Sequence, residues 1–446
     1  MLTLAAPRWK TGAIEALAVV AFAVTLALVI GLARGSQPRS SEAPPAAADP
    51  RPAGERAVEQ AQRKLAAQPE NLAAMTGLAG AYLLRARETA DPGYYTKAGA
   101  LVDSALAVTP ADADVLVAAG TLALTRHDFA EALDFGRHAV ELAPYRAPAY
   151  GVLTDALVEL GRYDEAISAA QSMVDLRPDQ ASFSRVSYLR ELHGDLDGAI
   201  DAMRHAVAAG APDSEGTAWT EVQLGNLFFA RGDLIAAEDA YRQAGLRRES
   251  YAPALAGLAR VHATNGDLAG AADLYELAVH TLPLAEYAIG VGDVYTTLGD
   301  FDRAVTQYML VEAIDRLFAA NGVRTDLELA VFHADHDGDI EDALAAVRGE
   351  YRVRPSVTVV DALGWVEYRA GDLDAARAHS EEALRLGTRD PLLLYHAGVI
   401  AQESGDRERA AELLSRSAAL NPRFSILWAG DLAARLNSLG TDGGGR

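Results

Sequence analysis

An alanine recurs at Ala98, Ala132, Ala166, Ala199, Ala237, Ala271, Ala304, Ala343, Ala376 and Ala410, with spacings of 34, 34, 33, 38, 34, 33, 39, 33 and 34 residues. A period of this length confines the chain to a stack of small supersecondary units. No unit that size buries its apolar face alone, so each completes its core with its neighbours. Stacks of this kind bind far more often than they catalyse.

The residues around each alanine define the unit. Five positions earlier stands a turn, usually Gly-Asp, as at Gly194-Asp195, Gly232-Asp233, Gly266-Asp267, Gly299-Asp300, Gly338-Asp339, Gly371-Asp372 and Gly405-Asp406, with His127-Asp128 and Gly161-Arg162 as variants. Glycine ends one helix in the left-handed region and the aspartate caps the amides of the next. Twelve positions after the alanine a proline stops the second helix at Pro110, Pro144, Pro178, Pro283, Pro355 and Pro422. Twelve positions before it the residue is usually small, as at Gly120, Thr154, Ser187, Gly225, Ala259, Gly292, Gly364 and Gly398, which lets two helices approach closely.

This pattern resembles the tetratricopeptide repeat family, in which Leu-Gly, an aromatic, Ala, a second aromatic and Pro follow one another at fixed offsets. Leu224-Gly225, Phe228, Ala237 and Tyr241 reproduce it, as do Gly292, Tyr295, Ala304 and Tyr308. The resemblance covers about residues 70 to 422 and implies an all-α, helix-turn-helix solenoid of about ten repeats wound as a right-handed superhelix. Val331 replaces the small residue of the eighth repeat, and Ala211 and Thr388 replace Pro in the fourth and ninth, so those units are expected to be less regular.

Leu122, Leu124, Phe129, Leu133, Val140 and Leu142 recur at helical spacing, and the one β-branched run, Val357 to Val360, falls at a helix start in the repeat register. Where the spacing stretches, Ala211 to Gly216 and Asn321 to Thr325 read as lengthened connections. Arg87 to Gly93 reads as an insertion inside the first hairpin. Insertions on a solenoid lie on one edge, where they are either tolerated loop growth or accessories to binding.

The start of the chain obeys different physics. After a flank at residues 1–12, the segment 13–33 carries Glu15 as its one charge and is long enough to cross a bilayer, so the expectation is a single transmembrane anchor. Gly31-Leu32-Ala33 also offers small residues at a signal-peptidase spacing, which leaves a cleaved secretory peptide as the alternative. Residues 34–54, rich in Pro, Ala and Ser, read as a disordered tether, residues 55–439 as the solenoid with leading and closing helices, and 440–446 as a disordered tail. The expected location is the inner, cytoplasmic membrane of a bacterium, single-pass, with extracytoplasmic repeats.

The chain carries a net charge of −22, and residues 1–54 hold five basic and three acidic side chains, leaving −24 for the remainder. Such a body repels phosphate backbones, so no nucleic acid is expected as a partner. The absence of cysteine removes disulfides, thiolate metal sites and a cysteine nucleophile. No phosphate-binding loop, nucleophile elbow or His-Glu-x-x-His motif is present, so no catalytic residue, enzyme activity or cofactor is expected. One polar cluster, with His333, His336 and Asp337, offers a weak divalent-metal candidate that competes with an ordinary solvated turn.

In the family, the first helix of each repeat lines a concave groove. That register implies inward positions at Asp155, Tyr188, Glu191, Trp219, Phe229, Asp293, Phe332, Asp335, Asp361, Trp365, Tyr368 and Tyr395. Interleaved acids and aromatics suit a basic or extended segment of another protein, unless the aromatics pack between repeats instead. The functional expectation is a membrane-tethered scaffold or assembly factor that binds proteins and is able to self-associate. The alternatives are a regulatory or chaperone-like subunit on the cytoplasmic side and, more remotely, a metal-dependent enzyme.

Overall fold

The computed structural model describes residues 53–441, which form 22 helices and no strand. The helices pair into ten hairpins. The first five are Leu72–Thr89 with Gly93–Val108, Ala113–Thr125 with Phe129–Leu142, Ala147–Glu159 with Tyr163–Leu176, Gln180–Leu192 with Leu196–Ala209, and Glu215–Ala230 with Leu234–Arg247. The next five are Ala252–Thr264 with Leu268–Thr281, Ala285–Leu298 with Phe301–Ala319, Asp326–Asp335 with Ile340–Val353, Val357–Arg369 with Leu373–Ala383, and Pro391–Glu403 with Arg407–Leu420. Ala53–Ala67 precedes the stack and Ala429–Thr441 follows it.

The periodic alanines mark where each hairpin closes. All ten are buried, with exposures of 0 to 2%. A larger side chain there would separate the paired helices, since interiors at crystal-like density have no slack. The small positions opposite work in the same way: a Cβ on Gly225 would run into the Tyr241 ring, and one on Gly292 into the Tyr308 ring. Those tyrosines therefore lie flat against a neighbouring backbone. Their hydroxyls reach Asn226 and Asp293 at 2.8 Å each.

Turn chemistry fixes the hairpin angle. Gly194, Gly232, Gly266, Gly299, Gly371 and Gly405 adopt φ between 76° and 87°, and the aspartate after each accepts a hydrogen bond from a backbone amide in the first turn of the next helix. Each such cap contributes about 0.5–2 kcal/mol. In the eighth repeat the left-handed residue is Asp337, at φ 52°, rather than Gly338. That repeat also has the shortest first helix, 10 residues, where Val331 stands in the place of a small residue.

The long spacings are absorbed differently from the sequence expectation. Phe301–Ala319 extends to 19 residues before the connection begins, and Gly216 lies inside the helix Glu215–Ala230. Part of the Arg87–Gly93 insertion likewise prolongs the first helix to Thr89. Residues 53–54 of the expected tether and 440–441 of the expected tail are helical. The apolar segment 13–33 and most of the tether lie outside the described residues. Among the described residues no helix is long and apolar enough to cross a membrane.

The stack winds until it meets itself. His127 Nδ1 lies 2.6 Å from the Arg324 carbonyl oxygen, the Val357 amide donates to the Tyr163 hydroxyl at 2.8 Å, and Asn421 Nδ2 donates to the Phe229 carbonyl at 2.8 Å. These partners are 197, 194 and 192 residues apart. In each case residues at or beside the mid-hairpin turn of one repeat meet residues at or just beyond the end of the repeat five further on. Successive superhelical turns are thereby sealed along a seam. Arg354, buried there, reaches Glu159 across it at 3.2 Å and also pairs with Glu350 on its own helix.

Candidate functional site

The sequence places acids and aromatics on the inner positions of the first helices, and the structure shows what most of them do there. Asp155 receives a bidentate pair from Arg185, with Nε to Oδ1 at 2.8 Å and Nη2 to Oδ2 at 2.6 Å, both residues being buried. Asp293 lies 2.8 Å from His336 Nε2, Asp335 accepts from the Trp365 indole at 2.5 Å, and Asp361 lies 3.0 Å from His396 Nδ1. Tyr395 donates to Asp431 at 2.6 Å. The bonds of the four aspartates link one repeat to the next, and the Tyr395 bond joins the tenth repeat to the closing helix.

The aromatics are packed in the same way. Trp365 stacks on His396 with ring centroids 4.1 Å apart and meets Trp428 edge-on at 5.5 Å. Phe332, Tyr308 and His336 form a three-ring cluster with centroids 4.6 to 5.6 Å apart, and Arg260 lies over Phe229 at 4.4 Å. Tyr188 is buried, while Glu191 and Tyr368 remain half-buried. These positions therefore staple the repeats together instead of forming an exposed acidic and aromatic surface. A buried carboxylate survives only with a partner, and the partners, Arg185, His336 and His396, came from the adjacent repeat.

Burial leaves its mark on their protonation. Loss of water pushes Asp155 up to about 6 against the pull of Arg185, and Asp335 up to about 7 against His396 and His336. Glu191, near Asp390, is pushed up to about 8.

The metal candidate disperses. His336 turns to Asp293 and Asp337 pairs with Arg369 at 2.5 Å, while His333 packs against Gly338. Among the described residues no group of three or more His, Cys, Asp or Glu side chains is arranged to hold a metal ion.

Open space is found along the seam. A cleft of about 280 Å³ forms where the first repeat, through Arg87 and Glu88 of its insertion and Tyr95 of its second helix, approaches the first helices of repeats five to seven. Trp219, Tyr251, Tyr287 and Phe318 give it an aromatic wall, and Arg260 and Glu286 line its polar side. Of the groove residues expected from sequence, Trp219 is the one on this wall. Arg87 pairs with Glu215 at 2.7 Å and Arg248 with Glu88 at 3.0 Å, which ties the insertion across the cleft mouth. The repeat register that gives Trp219 also points Arg260 and Glu286 inward, but neither stood out in a reading confined to the interleaved acids and aromatics of single helices.

A smaller chamber of about 90 Å³ continues from it, sharing Leu284, Glu286, Ile289 and Phe318. His127 and Glu328 line its far side.

Family models described as tetratricopeptide repeat match residues 123–187, and 222–288 with 362–423. Cellulose synthase operon protein C of Xanthomonas axonopodis pv. citri (strain 306) is 28% identical over 283 residues, 63% of this chain, and the match spans 16% of that protein's length. Among solved structures, MamA is similar at TM-score 0.30 and 22% identity, covering 38% of this chain and 97% of its own. The human IFIT1 dimer with PPP-AAAA is similar at TM-score 0.46 and 11% identity, covering 82% and 87%. The repeats matched by the family models, set in an unbroken stack of ten helical hairpins, make this chain a member of the tetratricopeptide repeat family.

Proposed function

We propose that the chain is a scaffold or assembly factor that holds another protein in the cleft along its seam and inner face. The observation that carries this reading is the cleft itself. There a wall of Trp219, Tyr251, Tyr287 and Phe318 borders open space. Rigid aromatics supply contact area at little entropic cost, and a rim of paired charges selects register. Among the described residues, Asp155, Asp293, Asp335 and Asp361, with His336 and His396, are spent on joining repeats, which favours binding over catalysis.

The apolar segment 13–33 supports a membrane tether, with the repeats on the outer side of the cytoplasmic membrane. The name of the Xanthomonas relative ties that protein to a cellulose synthase operon. The match over 16% of its length supports a shared binding architecture and no particular pathway.

A photo-crosslinking residue placed at Trp219, and separately at the exposed Ile235 on the outer helix, tests the surface in native membranes. The reading requires a defined adduct from position 219 and none of the same size from 235. Protease treatment of spheroplasts tests the side of the membrane: digestion of the repeats in intact spheroplasts supports the outward orientation, and protection supports the cytoplasmic alternative.

A further inference from the structure

The smaller chamber has an unusual polar inventory. His127 is 4% exposed, and its Nδ1 faces the Arg324 carbonyl at 2.6 Å. A carbonyl only accepts, so Nδ1 carries the proton and Nε2 is left as an acceptor. That Nε2 is buried with no hydrogen-bond partner among the described residues, and the same holds for Glu328 Oε2. Both residues line the chamber together with Glu286. Asp315, also on the wall, is engaged by the Thr325 hydroxyl. The remaining lining is apolar, including Ile289, Val311 and Phe318.

His127 Nε2 and Glu328 Oε2 are the unpartnered atoms of this chamber, and the Glu286 side chain is hydrogen-bonded to Tyr287; with the carboxyls ionised, all three residues offer the interior only acceptors. Burial pushes Glu286 up to about 7 and raises Glu328, so the empty chamber disfavours the charge that its carboxyls would carry in water. Arg354, the cation closest to Glu328, is already committed to Glu159 and Glu350. A ligand that restores the balance brings a positive charge, several N–H donors and an apolar stem.

We propose that this chamber receives a lysine side chain, or another primary ammonium on a short alkyl stem, presented by the bound protein. An ammonium has three donors and no acceptor, matching His127 Nε2, Glu286 and Glu328, while its methylenes lie against Ile289 and Phe318. The inference rests on the reading of the seam as a protein-binding site and names the residue type that enters it.

The probe is n-butylammonium, the lysine side chain alone, with butan-1-ol as its neutral counterpart. Both are measured by ligand-observed NMR against the full chain. The expected result is at least fivefold tighter binding of the amine. That preference should fall to parity in the Glu286→Gln, Glu328→Gln double variant, with the single Glu328→Gln variant intermediate and helicity unchanged by circular dichroism. Equal binding of the two probes to the unmodified chain overturns the proposal, as does a preference that survives both substitutions, because diffuse attraction to an acidic protein then explains it. Absence of binding by either probe overturns it as well. None of these outcomes bears on the position-specific crosslink from Trp219, which tests the wider binding reading by itself.

Discussion

The Val357 amide donates to the Tyr163 hydroxyl at 2.8 Å although 194 residues separate them. A repeat stack is ordinarily held by nearest-neighbour contacts alone; this bond belongs to a second set, between turns of the superhelix. Its counterparts at the second and fifth repeats, His127 with Arg324 and Phe229 with Asn421, make the seam a structural element whose closure can be tested.

Gly194 and Gly266 separate the seam from the hairpin turn. Both have positive φ, 76° and 87°, so an alanine at either costs about 1 kcal/mol of backbone strain. At Gly266 a Cβ meets nothing within 4 Å, whereas at Gly194 it would run into the Gly387 carbonyl of the next superhelical turn. Gly194→Ala should therefore increase the radius of gyration in small-angle scattering and lower Tm further than Gly266→Ala, which should leave the radius unchanged. Equal radii for both variants would show that the seam does not hold the coil closed.

Asp155 and Arg185 form a buried pair between the third and fourth repeats. Arg185→Ala strands a carboxylate that burial already pushes up to about 6, and should cost about 3–5 kcal/mol in urea unfolding. The double variant Asp155→Leu, Arg185→Met should recover most of that loss, since no unpaired charge remains. A double variant as unstable as the single one would assign the cost to packing.

How far the sequence reaches is visible in these residues. The periodic alanines, the glycine turns and the aspartate caps are local requirements of one hairpin, repeated until chance is excluded, and the register locates them well, with Gly338, whose left-handed place Asp337 takes, as an exception. Asp155, Asp293, Asp335 and Asp361 were legible as inward positions but not as buried ones. Their partners lie about one repeat further on, and nothing in a single helix shows that Arg185 or His396 will meet them. The seam was hidden more deeply. His127 and Arg324 meet only because small rotations accumulate over five repeats, and superhelical pitch is not encoded in any local motif. Trp219, by its register, and the insertion at Arg87–Gly93, by its edge position, were the signals of the cleft.

Trp365 is 1% exposed and gives its indole N–H to Asp335. Trp365→Phe keeps most of the ring volume but removes the donor, leaving a buried carboxyl short of one bond, and should cost about 1–3 kcal/mol. Adding Asp335→Leu should restore part of that loss. Tm of the three chains by circular dichroism checks the order, and a double variant less stable than Trp365→Phe would show that Asp335 is held chiefly by His396 and His336.

Two ion pairs, Arg87 with Glu215 and Arg248 with Glu88, fasten the first-repeat insertion over the cleft. Glu88→Gln with Glu215→Gln should speed amide hydrogen exchange at residues 86–95 at least several-fold, with little change in repeats nine and ten. Uniform exchange across the chain would indicate general destabilisation rather than release of the insertion.

The response to pH should run opposite to that of proteins stabilised by exposed carboxylate pairs. Glu191 is pushed up to about 8 and Glu159, Glu286 and Asp335 to about 7, all chiefly by loss of water, whereas the same groups in the unfolded chain titrate near about 4. Between pH 4 and 8 the folded protein thus binds more protons than the unfolded one, and stability falls as pH rises through that window. Tm should be higher at pH 5.5 than at pH 8.5. Glu191→Gln, which removes the group with the highest value, should flatten the upper part of the curve. A Tm that climbs steadily from pH 5.5 to 8.5 would mean that the partners Arg185, Arg354 and His396 outweigh burial, and that the inner carboxyls are ionised in the folded chain.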